Sequence, residues 1–407
     1  MRDVHGLAAG RNEFRPRGAA AGRLDSLALS GLHCDLFRNA RAMRAVSIEF
    51  CDLSNLTALE AVRLIAKGEL RAEEYALRLL DRYRALQSLH PVIRMEEERV
   101  LESARVIDQR RARGESLGAL GGLPVIIEDD IDVAGTPTAM TAAFFARHLR
   151  SPSVAQRLFD AGAVLFGKAN RQLACGAAAA AIAARLIPAG LGIDTTGSIR
   201  PMARTVADVA LLHAAITGRP HAPACDLRTT RIGVPGAPYW EGIDPDIAWV
   251  AQNALIRLQA AGATLVDVDA GTYFALASER VFPPPQVEEA REQSRRKAAE
   301  AYAALFAEHR LAAIVFPTRP TLAPRIEPAS TQVATDEAPS RFRNTQVTAV
   351  LGVPGLSIPA GLTPQGRLVG LEFNALAGCD GELLALGIAV EQAWPKIPPP
   401  QPIPWIT

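Results

Sequence analysis

The sequence predicts an α/β fold with a mostly parallel sheet, and two observations carry that prediction. Apolar runs of strand length alternate with stretches whose apolar residues recur at helical spacing. The same helix-to-strand grammar also appears twice, in "SPSVAQRLFDAGA" followed by "VLFGK" and in "DPDIAWVAQNALIRLQAAGATLVDVD". At 407 residues and 49% hydrophobic, the chain is long enough to bury a large core.

Taken in order, "SNLTALEAVRLIAKGEL" reads as a helix with Ser54 or Thr57 as its cap, and "RAEEYALRLLDRYRAL" as a second. A third, charged helix, "EEERVLESARVIDQRRARG", stops at Gly114 and leads into "GGLPVIIEDDIDVAG", where Val125 to Ile127 form a buried strand. Pro245 marks one later helix start and Gly262 the corresponding end. "LAAIVFPT", "PGLSIPAG" and "LVGLEFNAL" are strands, and "DGELLALGIAVEQAW" is the closing helix. One domain over 43–395 follows from this pattern, with a proline-rich extended tail at 396–407. Residues 1–42 are Arg-rich and irregular, and read as a disordered leader or a start-site artefact ahead of Met43.

The charge balance sets two partner classes aside. Forty-four basic and 43 acidic residues leave a net charge of +1, which offers no field for nucleic acid or an anionic membrane surface. The longest alanine-rich uncharged run, 173–184, is shorter than the roughly 18 apolar residues of a membrane span. Five scattered cysteines without a CxxC pair fit a reduced cytoplasmic protein, and the seven histidines lack metal-ligand spacing. No metal and no cofactor is implied.

Several separate motifs then carry a resemblance. "GLPVIIEDDIDVAGTPT", "SPSVAQRLFDAGAVLFGKAN", "GIDTTGSIR", "TVADVALLHAAITG" and "VPGLSIPAGLTPQGRLVGLEF" resemble the amidase signature family of amide hydrolases over roughly residues 50–395. "RFRNTQVTAVLGVPGLSIPAGL" and "GTPTAMTAAFFARH" are similar to its indoleacetamide and mandelamide hydrolase branch. The resemblance implies a mixed, mostly parallel central sheet covered by helices on both faces. It also implies a serine nucleophile, a second serine that relays the proton, and a buried lysine as base.

Carried onto this chain, Ser198 takes the nucleophile position, and Thr195, Thr196 and Gly197 form the oxyanion loop. Glu128 stands at the lysine position, and no serine lies between Cys175 and Ser198 to act as relay. A carboxylate with an ordinary pKa of about 4.3 is a poor match to a serine hydroxyl, so Glu128 reads as inactive in base catalysis, in a structural or solvated acidic turn with Asp129, Asp130 and Asp132. Thr196 replaces a glycine of the family's loop, and a β-branched residue narrows the backbone angles available there. Two family segments are also missing, because "LACG" runs into an alanine helix and "GSIR" runs directly into "PMARTVADVA".

Other residues are weighed against plainer roles. Arg200 is a candidate to bind a ligand carboxylate, with a salt bridge to Asp194 as the alternative. Lys168 reads as surface or strand-end packing, and His213 as a core histidine on the helix beyond Ser198. The expected function is that of an amidase-family protein related to hydrolases of amide carbon–nitrogen bonds in small aryl or indolyl acetamides, with catalysis impaired or lost. The alternative is a noncatalytic pseudoenzyme that binds a small amide or analogue or pairs with an active homologue, and a homodimer is the other partner expectation. A third reading is a decaying gene product that folds poorly because core was deleted.

Overall fold

The computed structural model describes residues 52–87, 91–134, 136, 153–170, 176–193, 198–220, 223, 225–278, 288–322 and 342–398. The leader with Met43, the loop residues Asp194, Thr195, Thr196 and Gly197, and the tail beyond 398 lie outside the described residues. The chain divides into two units, Met1–Phe50 and Cys51–Thr407, and everything described belongs to the second.

The first unit of structure is a helical pair. Helix α1 (Ala58–Lys67) starts at Thr57, whose hydroxyl accepts from the Glu60 N–H at 3.2 Å while the Glu60 carboxylate accepts from the Thr57 N–H at 2.9 Å. This capping box decides between the two caps the sequence offered, because it satisfies two otherwise unpaired donors reciprocally. Helix α2 (Ala72–Ala85) follows, then the short strand β1 (Val92–Arg94) and helix α3 (Glu97–Ala112).

Strand β2 (Pro124–Glu128) is buried along its whole length. Val125, Ile126 and Ile127 expose no surface, and each contributes about 1.5–3 kcal/mol by leaving water. Helix α4 (Ser153–Asp160), strand β3 (Val164–Ala169), helix α5 (Ala177–Ala183), strand β4 (Ala189–Ile193), strand β5 (Ile199–Ala203) and helix α6 (Val206–Thr217) complete the first half. The second half runs β6 (Arg231–Pro235), α7 (Pro245–Ala260), β7 (Thr264–Val268), α8 (Gly271–Ser278), α9 (Glu288–His309), β8 (Ala313–Pro317), α10 (Arg343–Leu351), β9 (Gly355–Leu362), β10 (Leu368–Asn374) and α11 (Asp380–Ala393).

Among the described residues these strands form two five-stranded mixed sheets, ordered β1-β3-β2-β4-β5 and β7-β6-β8-β10-β9. The parallel pairs lie around β2 and β6, where helices cross over between strands. The antiparallel pairs include β4 with β5 and β9 with β10, whose connections are too short for a crossover. This is how an overall α/β pattern carries as much antiparallel as parallel pairing.

Helices cover both faces of the second sheet. Val315, Leu371 and Phe373 pack on one side with Val250 and Ala254 of α7 and Leu383 and Val390 of α11. Ile314 and Phe316 face the other side, against Tyr273, Tyr302 and Val347 of α8, α9 and α10. Side-chain alternation along β8 produces the two cores from consecutive residues. No helix among the described residues is long and apolar enough to cross a membrane.

Candidate active site

The carboxyl end of β2 is where the sequence placed the chemistry. Glu128 closes the strand and is 7% exposed, so the solvated turn is overturned for this residue. Its Oε2 accepts a hydrogen bond from the Ile193 N–H at 2.9 Å, tying β2 to the end of β4. Gly192 makes the approach feasible: a β-carbon there would lie 3.0 Å from both the Glu128 carboxyl carbon and its Oε1. Beyond Glu128 the chain turns through Asp129 and Asp130, both buried, to the exposed Asp132.

Register puts Arg200 on the same side. Gly192 pairs with Arg200 of β5, and the Glu128 side chain lies against Gly192 from β2. The Met202 side chain reaches into the same space, its Cε 2.6 Å from where a β-carbon of Gly192 would lie. Ser198 sits just before β5 and is exposed, two residues from Arg200. The sequence-predicted Ser198, Glu128 and Arg200 therefore gather at the ends of β2, β4 and β5. Thr195, Thr196 and Gly197 fall outside the described residues.

Lys168 overturns the surface alternative and keeps the strand-end one, as the penultimate residue of β3. It exposes no surface at all, and its ammonium donates to the backbone carbonyl of Ile131. Burial brings its pKa down to about 8; Asp129 and Asp132 pull it back up, and Arg94 adds to the lowering. Lys168 pairs with Ile127, one residue short of Glu128, so the two side chains leave the sheet on opposite faces. It does not stand in for the missing base on the Ser198 side.

A second buried ionisable group was not singled out from the sequence. Glu372 lies in the middle of β10, 7% exposed, and burial raises its carboxyl to about 7. Arg200 is the described charge that pulls it back down. The signal was a lone acid inside the apolar run "LVGLEFNAL". His213, on α6, is partly buried with Nε2 4.0 Å from Asp380. Among the described residues, no group of three or more His, Cys, Asp and Glu is arranged to hold a metal ion.

Comparison with known proteins now bears on this geometry. The Amidase family model matches residues 74–175 and 284–384. The chain belongs to the amidase family. Among its relatives, indoleacetamide hydrolase of Agrobacterium vitis is 27% identical, the match covering 77% of this chain and 92% of that protein. Mandelamide hydrolase of Pseudomonas putida is 25% identical, over 86% and 93% respectively. A crystal structure of an amidase superposes with a TM-score of 0.67 at 23% identity, covering 84% of this chain and all of the other, which establishes the shared fold.

The alignment with indoleacetamide hydrolase runs over 432 positions, more than the 407 residues of this amidase-family chain, yet uses 77% of it. Positions of that relative therefore have no counterpart here. The family match itself pauses between 175 and 284, the stretch that holds Ser198 and Arg200.

Proposed function

We propose that this chain binds small aryl or indolyl acetamides in the site around Ser198 and hydrolyses them at a strongly reduced rate or not at all. One observation carries the reading: the group at the base position is a buried carboxylate already engaged by the Ile193 N–H. The same carboxylate holds β4, so it is not a mobile partner for a serine hydroxyl. A neutral lysine would accept the hydroxyl proton readily, whereas a carboxylate bound to a backbone donor gives little driving force for that transfer. Loss of general-base help costs on the order of 10²- to 10⁴-fold in rate.

Lys168 does not rescue the chemistry in this reading, because it points to the other face of the first sheet. Amide binding is retained in this reading because the strand ends that gather Ser198, Glu128 and Arg200 are still in place.

The test is ammonia release from a panel of aryl and indolyl acetamides by the purified wild type and by Ser198→Ala. The expected result is equal, near-background release by both proteins, with binding of the same amides still measurable. Turnover in the wild type that disappears in Ser198→Ala would overturn the loss of catalysis and require another base.

A further inference from the structure

Two neighbouring strands of the second sheet send their chains to opposite faces. Strands β6 and β7 run in parallel, with Pro235 opposite Val268 at their carboxyl ends. After β6 the chain goes to α7, whose Val250 and Ala254 pack on one face; after β7 it goes to α8, whose Tyr273 packs on the other. Where adjacent strands lead to opposite faces the loops part, and the crevice left beyond the strand ends is the usual place for a ligand in an α/β sheet.

A groove of about 630 Å³ lies at that point, a volume within the range of small-molecule sites. Val234 and Pro235 of β6 and Val268 of β7 line it with Trp240. Trp240 belongs to the loop between β6 and α7, is partly buried, and packs against the cores of both sheet faces. The Gly236 N–H donates to the Val268 carbonyl at 3.3 Å, which ties the two strand ends together.

The polar side chains of the groove carry one sign of charge. Asp267 and Asp269 line it and are both exposed, and no lysine, arginine or histidine is among its lining residues. Asp267 forms no ion pair among the described residues, and the Asp269 Oδ1 accepts from the Gly271 N–H at 2.8 Å, at the start of α8. Two carboxylates without a counter-charge attract a cation and repel an anion. The apolar wall then selects among cations: an indole ring and a proline favour one with an apolar part, and the indole attracts its charge as well.

We propose that this crevice binds a small organic ammonium ion, its charge held by Asp267 and Asp269 and its apolar part against Trp240 and Pro235. The site belongs to the second sheet, whereas Glu128 and Arg200 belong to the first, so it stands independently of the amide reading.

The experiment is calorimetric titration of 2-phenylethylammonium and of 2-phenylethanol, which differ in ammonium for hydroxyl, into the full chain at pH 7. The ammonium should bind about tenfold more tightly, because each of two exposed ion pairs contributes a factor of about 1.4 to 5. Raising sodium chloride from about 0.05 M to about 0.5 M should weaken the ammonium and leave the alcohol unchanged. Asp267→Asn with Asp269→Asn should remove the preference, and an asparagine at 269 still accepts from the Gly271 N–H. If that double variant does not fold, Asp267→Asn alone, at an exposed side chain, should lower the preference about threefold. No binding of the ammonium to the folded wild type, equal affinity for the two ligands, or a preference that survives in the folded variants would overturn the proposal.

Discussion

Replacing Lys168 by methionine tests whether a charge is buried on the far face of the first sheet. Its side chain exposes no surface, and burial lowers its pKa from an ordinary 10.5 to about 8. The folded state therefore releases the lysine proton at lower pH than the unfolded chain does. Below pH 8 both states hold the proton and the full penalty of the buried ammonium is present. Between 8 and 10.5 the unfolded chain binds more protons, so this group makes stability rise with pH. The difference between 10.5 and about 8 corresponds to about 3 kcal/mol, of which about 2 kcal/mol is recovered between pH 7 and 9.5. Tyrosines such as Tyr75 and Tyr273 are raised by burial and oppose this trend at high pH, but they are common to both proteins and cancel in the difference. Urea unfolding of the wild type and Lys168→Met at pH 7, 8, 9 and 9.5 measures that difference. Wild-type stability should gain about 2 kcal/mol on the variant across the range. A difference that stays flat, or falls, would refute the burial argument.

Two further predictions follow from single hydrogen-bond sets. Asn344 is fully buried and its amide donates to the Tyr239 carbonyl at 3.1 Å and the Pro317 carbonyl at 2.7 Å, so Asn344→Ala should cost about 1–3 kcal/mol for each acceptor left unpaired, read from the urea midpoint. Glu128→Lys puts back the residue type expected at the base position, yet it sets an ammonium against the Ile193 N–H and near Arg200; it should lose on the order of 2–3 kcal/mol and show no Ser198-dependent ammonia release. Stable, active Glu128→Lys protein would show that the base position alone limits catalysis.

The elements were legible because their patterns are local. Thr57 and Glu60 announce the start of α1 three residues apart, Pro245 opens α7, and the apolar run after Pro124 can only be a buried strand. The site was legible in part, through Ser198 and Glu128, whose motifs are continuous in sequence. Lys168 and Glu372 were not, and the reason is physical. Whether a charged residue inside an apolar run is buried depends on which elements cover that face of the sheet, and those elements lie far away in the chain. Glu372 is enclosed by β8 and β9 and feels Arg200, about 170 residues earlier, and no spacing rule links such positions.

That separation also explains why the replacement at position 128 has consequences beyond a missing base. A lysine at the end of β2 would place positive charge beside Arg200; a glutamate places negative charge there, across Gly192. Arg200 also acts on Glu372, from the other sheet. A carboxylate at the end of β2 opposes an oxyanion forming at Ser198. On this electrostatic ground, the proposed loss of hydrolysis follows from the sign of the charge at position 128 as well as from the absence of a lysine there.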